Sequence, residues 1–157
     1  MNIKDAMSCF TTGVTVVTAH TQGQDWGMTC NSFNTVSLDP AMVLWSVRKS
    51  SLSHEAFVNA GGYMVNVLGA QQKDVALKFA QGSQQERFTG QSLVRGVNQH
   101  PRLDGVIAWF DCRIAQVVSA GDHDILIGEV LDFGVHAGHG LAYAQRSFGV
   151  LAPLEED

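Results

Sequence analysis

Residues 118–130 read VSAGDHDILIGEV, two apolar runs that look like buried strands meeting at Gly121, Asp122, His123 and Asp124. A two-residue Gly-Asp turn would close a hairpin, so His123 and Asp124 ask for a further reason. On either side, GVIAWFDCRIAQVVSAG (105–121) and DILIGEVLDFGVHAG (124–138) read as two long strands paired antiparallel through GDHD. That pairing sets the fold class, because strands joined by hairpins belong to barrels and sandwiches, whereas βαβ units build parallel sheets.

Working outward, GVTVVTAH (13–20) is β-branched and alternating, and the turn material TQGQD leads into WGMTCNSF (26–33), which makes a second hairpin. Asp39-Pro40 marks a turn before AMVLWSVR (41–48), whose near-continuous apolar character suggests a strand buried on both faces. YMVNVLG (63–69) is another strand, and LAYAQRSFGVLAPL (141–154) reads as one more strand followed by an exposed tail. Helices are expected over 2–10, with Ile3, Met7 and Phe10 on one face; over 50–61, with Leu52, Ala56 and Phe57 inward; and over 71–82, with Val75, Leu77 and Phe79 to one side. Between Gly82 and Arg102 the pattern weakens to irregular structure and short helical turns. The expected architecture is a mainly β single domain over 1–157, a barrel or open barrel with peripheral helices.

Composition narrows the partners. The chain has 157 residues, 45% hydrophobic and 16% charged, which is little charge for a small monomer covering its own surface, so a homodimer is expected. A formal net charge of -5 opposes nucleic acid as the main partner. No apolar run reaches the roughly 18 residues that span a bilayer. Cys9, Cys30 and Cys112 fall in no C-x-x-C spacing, which argues for a reducing, cytoplasmic home and against a cysteine zinc site.

The densest chemical signal is WSVRKSSLSHEAF (45–57), where a strand delivers Arg48 and Lys49, then Ser50, Ser51 and Ser53, to the start of a helix. Hydroxyls, free N–H groups and a cation suit an anion, most naturally phosphate. N-capping by Ser50 or Ser51 explains the same serines, although neither is followed by the acidic partner of a capping box. Thr29, Asn31 and Ser32 offer polar groups to the edge of a flat heterocycle, and turn chemistry accounts for them equally. His123, His136 and His139 raise a metal site, but the spacing fits no zinc pattern. No G-x-S-x-G elbow, P-loop or G-x-G-x-x-G is present, and Cys30 and Cys112 lie inside apolar strands where a thiol stays protonated.

Taken in order, FTTGVTVVTA, GMTCNSFNTVSLDPAMVLWSV, KSSLSHEAF, VNVL, KFA, DGVIAWFDCRI, GDHDILIGEV and LAYAQRSFG resemble the flavin reductase domain family, over about residues 6–150. The resemblance implies a homodimeric, Greek-key-like split β-barrel that binds FMN or FAD and reduces it with NADH or NADPH, many members supplying reduced flavin to a separate monooxygenase. It implies that Thr29, Asn31 and Ser32 lie along the flavin ring with Ser46 and Val47 behind it. Lys49, Ser50, Ser51 and Ser53 would meet the phosphate, and Lys78, Phe79 and Ala80 would line the pocket. His123, a candidate catalytic residue, would stand with Tyr143 and Arg146 on the nicotinamide side, and no metal is called for. Cys30 and Ala41 depart from common family residues without threatening the pocket, while the short acidic tail LAPLEED puts any cofactor contact there in doubt. Two other readings stay open: a flavoprotein that carries electrons or senses without turning over free flavin, and a small barrel used only for binding.

Overall fold

The computed structural model describes residues 1–155, so Glu156 and Asp157 of the acidic tail lie outside the described residues. In chain order the first half comprises α1 (Ile3–Ser8), β1 (Thr12–Gly13), β2 (Thr15–Thr21), β3 (Gln24–Cys30), β4 (Asn34–Leu38), β5 (Ala41–Arg48), α2 (His54–Asn59) and β6 (Gly62–Val67). The second half comprises α3 (Lys73–Lys78), α4 (Gln84–Phe88), β7 (Leu93–Arg95), β8 (Pro101–Leu103), β9 (Ala108–Ala120), β10 (His123–Val135), β11 (Leu141–Ala144) and β12 (Ser147–Val150).

Seven strands form one antiparallel sheet in the order β3-β2-β6-β9-β10-β5-β4. In that order β9 and β10 separate β6 from β5, so a flat sheet would hold those two strands roughly 14 Å apart at the usual spacing. Instead the rings of Trp45 on β5 and Tyr63 on β6 meet at 5.9 Å between centroids. The sheet therefore curls, and one cluster gathers Val17, Ala19, Val43, Trp45, Val47, Tyr63, Val65 and Leu126 inside it. Phe57 of α2 plugs this cluster edge-on against Trp45, with centroids 4.9 Å apart. A second cluster, around Val16, Leu68, Ala76, Phe79 and Leu141, seats α3 and the small β1-β11-β12 sheet on the outside.

The barrel does not close. β4 pairs only with the first half of β5, from Leu38↔Ala41 to Asn34↔Leu44, and leaves the second half of β5 open on that edge. β3 is the opposite edge strand of the same sheet. The expected split barrel with peripheral helices is the fold observed, and the opening lies between β3 and the far end of β5.

Several local expectations are corrected. Register pairs His123 with Ala120, so the central hairpin does turn on two residues, Gly121 and Asp122, with Gly121 in the left-handed region at φ 61°. β5 buries one face: Val43, Trp45 and Val47 point inward, while Met42, Leu44 and Ser46 are only partly covered. The helix expected from residue 50 starts at His54, because 49–53 are spent in tight turns and Leu52 is fully exposed. Leu77 of α3 is also exposed, Ala76 taking the buried place beside Phe79. The C-terminal strand is a hairpin of β11 and β12, turned by Gln145 and Arg146 at φ 50° and 62°. Ile3 and Met7 of α1, and Phe10 beyond its end, stand in solvent.

Candidate functional site

A cleft of about 820 Å³ occupies the split. One lip is β3, contributing Trp26, Met28, Thr29 and Cys30, and the other is the open end of β5, contributing Ser46 and Arg48. Ser51 and Ser53 from the following turn, Phe79 and Ala80 after α3, and Gln84 and Arg87 of α4 complete its walls, with His123 at the rim.

Each wall has a local cause. Gly27 of β3 lets the outer layer lie close: a side chain there would meet Phe79 Cε1 at 2.7 Å and Phe88 Cζ at 3.0 Å. α4 is then fastened along β3, since the Gly27 N–H donates to Gln84 Oε1 at 2.8 Å and the Arg87 guanidinium donates to the Gly27 carbonyl at 2.7 Å. Thr29 ties β3 to α3 by donating its hydroxyl to the Ala76 carbonyl at 2.6 Å. In the connection leading into β4, the Ser32 hydroxyl accepts from the Ser46 N–H at 2.9 Å and donates to the Ser46 carbonyl at 3.1 Å.

These bonds sort the expected residues. Thr29 and Ser32 line the cleft with their hydroxyl protons committed to backbone carbonyls, whereas Asn31 lies exposed at the lip. Ser46 faces the cleft and Val47 faces the core behind it. Ser51 and Ser53 line it side by side, their hydroxyls 3.0 Å apart; Ser50 is exposed and outside the lining. Phe79 and Ala80 are in the wall, but Lys78 turns its ammonium to the Thr89 carbonyl. The Lys49 ammonium is held by Ser119 Oγ at 2.6 Å and the Gly121 carbonyl at 2.9 Å, away from the lining. Tyr143 packs on Phe148 and Arg146 pairs with Asp5, so neither reaches the cleft within this chain.

The positive charge at the site is therefore carried by Arg48 and Arg87, with the His123 imidazole at the rim. Arg48 is exposed and forms no ion pair with a described carboxylate. Burial weakens the hold of Arg87 on its proton without changing its charge at neutral pH. His123 Nδ1 stands 2.7 Å from Asp122 Oδ1, and this hydrogen bond holds the exposed Asp122 carboxyl below its usual range. Burial raises the Cys30 thiol in the wall, and pushes Cys112 in the core up to about 12, so neither is an available nucleophile. Tyr63 is likewise raised by burial in the core. Among the described residues no three His, Cys, Asp or Glu side chains gather to hold a metal, and His136 and His139 are exposed.

Trp26, Met28, Gln84 and Arg87 were not expected at the site. A signal for α4 was nevertheless present: Ser83-Gln84-Gln85-Glu86 is a capping box, formed in the structure by Ser83 and Glu86, and it places Arg87 on the next turn. Trp26 lines the cleft as part of its apolar wall, its indole Nε1 buried and without a hydrogen-bond partner among the described residues. An apolar stretch along Trp26, Met28 and Phe79, ending at Arg48 and two hydroxyls, suits a flat ligand with an anionic end.

Residues 7–152 match the family described as flavin reductase like domain. The chain is 44% identical over 156 residues to the reductase component of a flavin-dependent trigonelline monooxygenase of Acinetobacter baylyi, covering 99% of this chain and 50% of that protein. It is 42% identical over 149 residues to the FMN reductase (NADH) SmoA of Agrobacterium fabrum, covering 94% and 84%. Among solved structures, the NADH:FAD oxidoreductase SgcE6 of Streptomyces globisporus C-1027 superposes with a TM-score of 0.91 at 32% identity, covering 99% and 89%. The chain spans about half the length of the Acinetobacter protein and of a Rhizobium meliloti probable flavin reductase, 50% and 47% respectively.

Proposed function

The chain belongs to the flavin reductase like domain family, and from that premise we propose that it transfers hydride from NADH or NADPH to FMN, with FAD as an alternative flavin. One observation carries the reading: the split holds an apolar wall that ends at an arginine without an ion-pair partner among the described residues and at two adjacent serine hydroxyls. A flavin supplies the hydride acceptor when bound, and nicotinamide the donor. The residues present fit such a group, since the apolar wall formed by Trp26 and Met28 meets the Arg48 guanidinium and two adjacent serine hydroxyls where the anionic end would lie.

In this reading Arg48, Ser51 and Ser53 hold the phosphate, which moves the cationic role from Lys49 to its neighbour. Met28 and Phe79 exclude water from the ring faces, and the exposed Asn31 amide is free to meet the ring's polar edge. His123, half-buried at the rim, orients the nicotinamide nucleotide; Tyr143 and Arg146 join that side only if a second subunit brings them. The protein's contribution is positioning, so reacting atoms need to be held roughly 3 to 3.5 Å apart with no side chain as nucleophile.

A homodimer is supported by Phe10, Phe133 and Val135, which are 77%, 64% and 77% exposed. Residues 1–157 are read as one domain. Relatives named as reductase components of monooxygenases support a monooxygenase as the recipient of reduced flavin. Three free cysteines support a reducing, cytoplasmic location, and no helix among the described residues is long and apolar enough to cross a membrane.

The test is anaerobic oxidation of NADH and NADPH by purified protein with FMN or FAD added. The expected result is loss of the reduced nicotinamide absorbance in step with flavin bleaching. Absence of turnover in all four combinations would overturn the reading.

A further inference from the structure

The turn carrying Ser51 and Ser53 has few bonds of its own, among them the Ser53 N–H donating to Ser51 Oγ at 3.3 Å. α2 behind it has six residues, and its N-cap Ser53 makes no side-chain capping bond. Within the turn the backbone bonds are Ser51 N–H to the Arg48 carbonyl at 3.0 Å and His54 N–H to the Ser51 carbonyl at 3.1 Å. It is also tied at both ends to the tip of the β9–β10 hairpin. At one end, the Lys49 N–H donates to the Asp122 carbonyl at 2.9 Å, and the Lys49 ammonium reaches Ser119 Oγ and the Gly121 carbonyl. At the other, His54 Nε2 stands 2.6 Å from Asp124 Oδ2, with both side chains largely shielded, 22% and 14% exposed.

Strand alternation explains why Asp124 is available for this. His123 and Ile125 share a face with their β5 partners Arg48 and Ser46, which line the cleft, so Asp124, opposite the buried Val47, turns to the other side, where α2 begins. The His123-Asp124 step thus serves two purposes from adjacent positions: one side chain reaches the cleft rim and the next anchors the serine turn.

Resting on the flavin reading above, we propose that the His54–Asp124 pair positions the serine turn for the phosphate, making His54 a selectivity determinant for phosphorylated flavin although it does not line the cleft. A hydroxyl pair displaced by a fraction of an ångström loses its directed bonds to phosphate oxygens, while a ring gripped by apolar walls tolerates the shift. The selectivity loss is therefore confined to the anion.

The experiment measures dissociation constants for FMN and riboflavin, by quenching of flavin fluorescence, in the unmodified protein, His54→Ala, His54→Gln, Asp124→Ala and Arg48→Gln. His54→Ala and Asp124→Ala should each weaken FMN by about tenfold and leave riboflavin within about twofold, as expected for losing one charge-assisted bond that acts on the anion alone. His54→Gln should recover most of the FMN affinity, because its amide nitrogen can still donate to Asp124. Equal weakening of both flavins, no weakening, or no recovery with glutamine would overturn the proposal. Loss of cooperative melting in both alanine variants would also count against it, since the pair would then be a determinant of the fold. Arg48→Gln separates the two levels: if it discriminates FMN from riboflavin and His54→Ala does not, the positioning role fails and the flavin site stands. If Arg48→Gln does not discriminate, the site assignment itself fails.

Discussion

Ser32, in the connection between β3 and β4, covers the open end of β5 through one hydroxyl, which both accepts from and donates to the Ser46 backbone at 2.9 and 3.1 Å. It stands in for the strand partner that the open end of β5 lacks, satisfying an N–H and a carbonyl that a closed barrel would pair. Ser32→Ala leaves both groups without that partner. The expected cost is about 1–2 kcal/mol of stability together with weaker flavin binding, read from urea unfolding and flavin titration. Unchanged stability would mean that water replaces the hydroxyl without loss.

Arg87 links α4 to β3 through the Gly27 carbonyl at 2.7 Å and to the α3–α4 connection through the Gln81 carbonyl at 3.0 Å, from different nitrogens of one guanidinium. Arg87→Lys keeps the charge and loses the fork. The expected result is a loss of about 1 kcal/mol in stability and a several-fold rise in the KM for flavin, because the wall loosens even though the charge remains. A lysine variant with unchanged KM would show that charge alone matters there.

The alternating runs of β2, β9 and β10 were legible because period-2 patterning and hairpin turns are local properties, and the barrel followed from them. The split was not legible as geometry, since it depends on where β4 stops pairing with β5, a register choice made in three dimensions. At the site, Ser51 and Ser53 were readable as a cluster of hydroxyls beside cations. Which cation remained free was not: Lys49 and Arg48 are sequence neighbours, and strand alternation plus the hairpin tip decides that Lys49 is consumed while Arg48 stays available. Leu52 misled because a helical period was assumed to begin at Ser50, where backbone turns delay it to His54.

His100 gives the fold a pH dependence. It is 2% exposed and its Nδ1 accepts the His20 N–H at 2.9 Å, a bond only the unprotonated nitrogen can make. Burial first, and the nearby His20 second, lower its pKa from 6.5 to about 4. The unfolded chain therefore binds the proton more readily, so this contribution is complete above about pH 6.5 and is lost as pH falls toward 4, amounting to on the order of 3 kcal/mol. Asp111 acts with opposite sign: burial raises its carboxyl, so its contribution is present at low pH and is lost as pH rises. Urea unfolding of the unmodified protein and of His100→Gln across pH 4–7 isolates the histidine by difference. The gap between them should narrow as the pH drops, and a constant gap would remove His100 as the titrating group.

Gly27 offers a test of how the cleft wall is seated, because its two faces and its backbone meet different parts of the site. The buried face is filled by Phe79 and Phe88, whose rings stand edge-on at 5.1 Å, and both backbone polar groups are used by α4. Gly27→Ala inserts a methyl where Phe79 carbons lie at 2.7 and 2.8 Å, closer than any real contact, so the phenylalanine or the strand has to move. Overpacking of this kind costs about 1–3 kcal/mol. The functional consequence is larger than for an equal loss elsewhere, since Phe79 also lines the cleft and moves with the wall. The expected outcome is a folded protein with a lowered Tm and sharply reduced affinity for FMN and riboflavin alike. Under the proposed placement of the flavin ring along this wall both flavins weaken together, and FMN-selective weakening would contradict that placement.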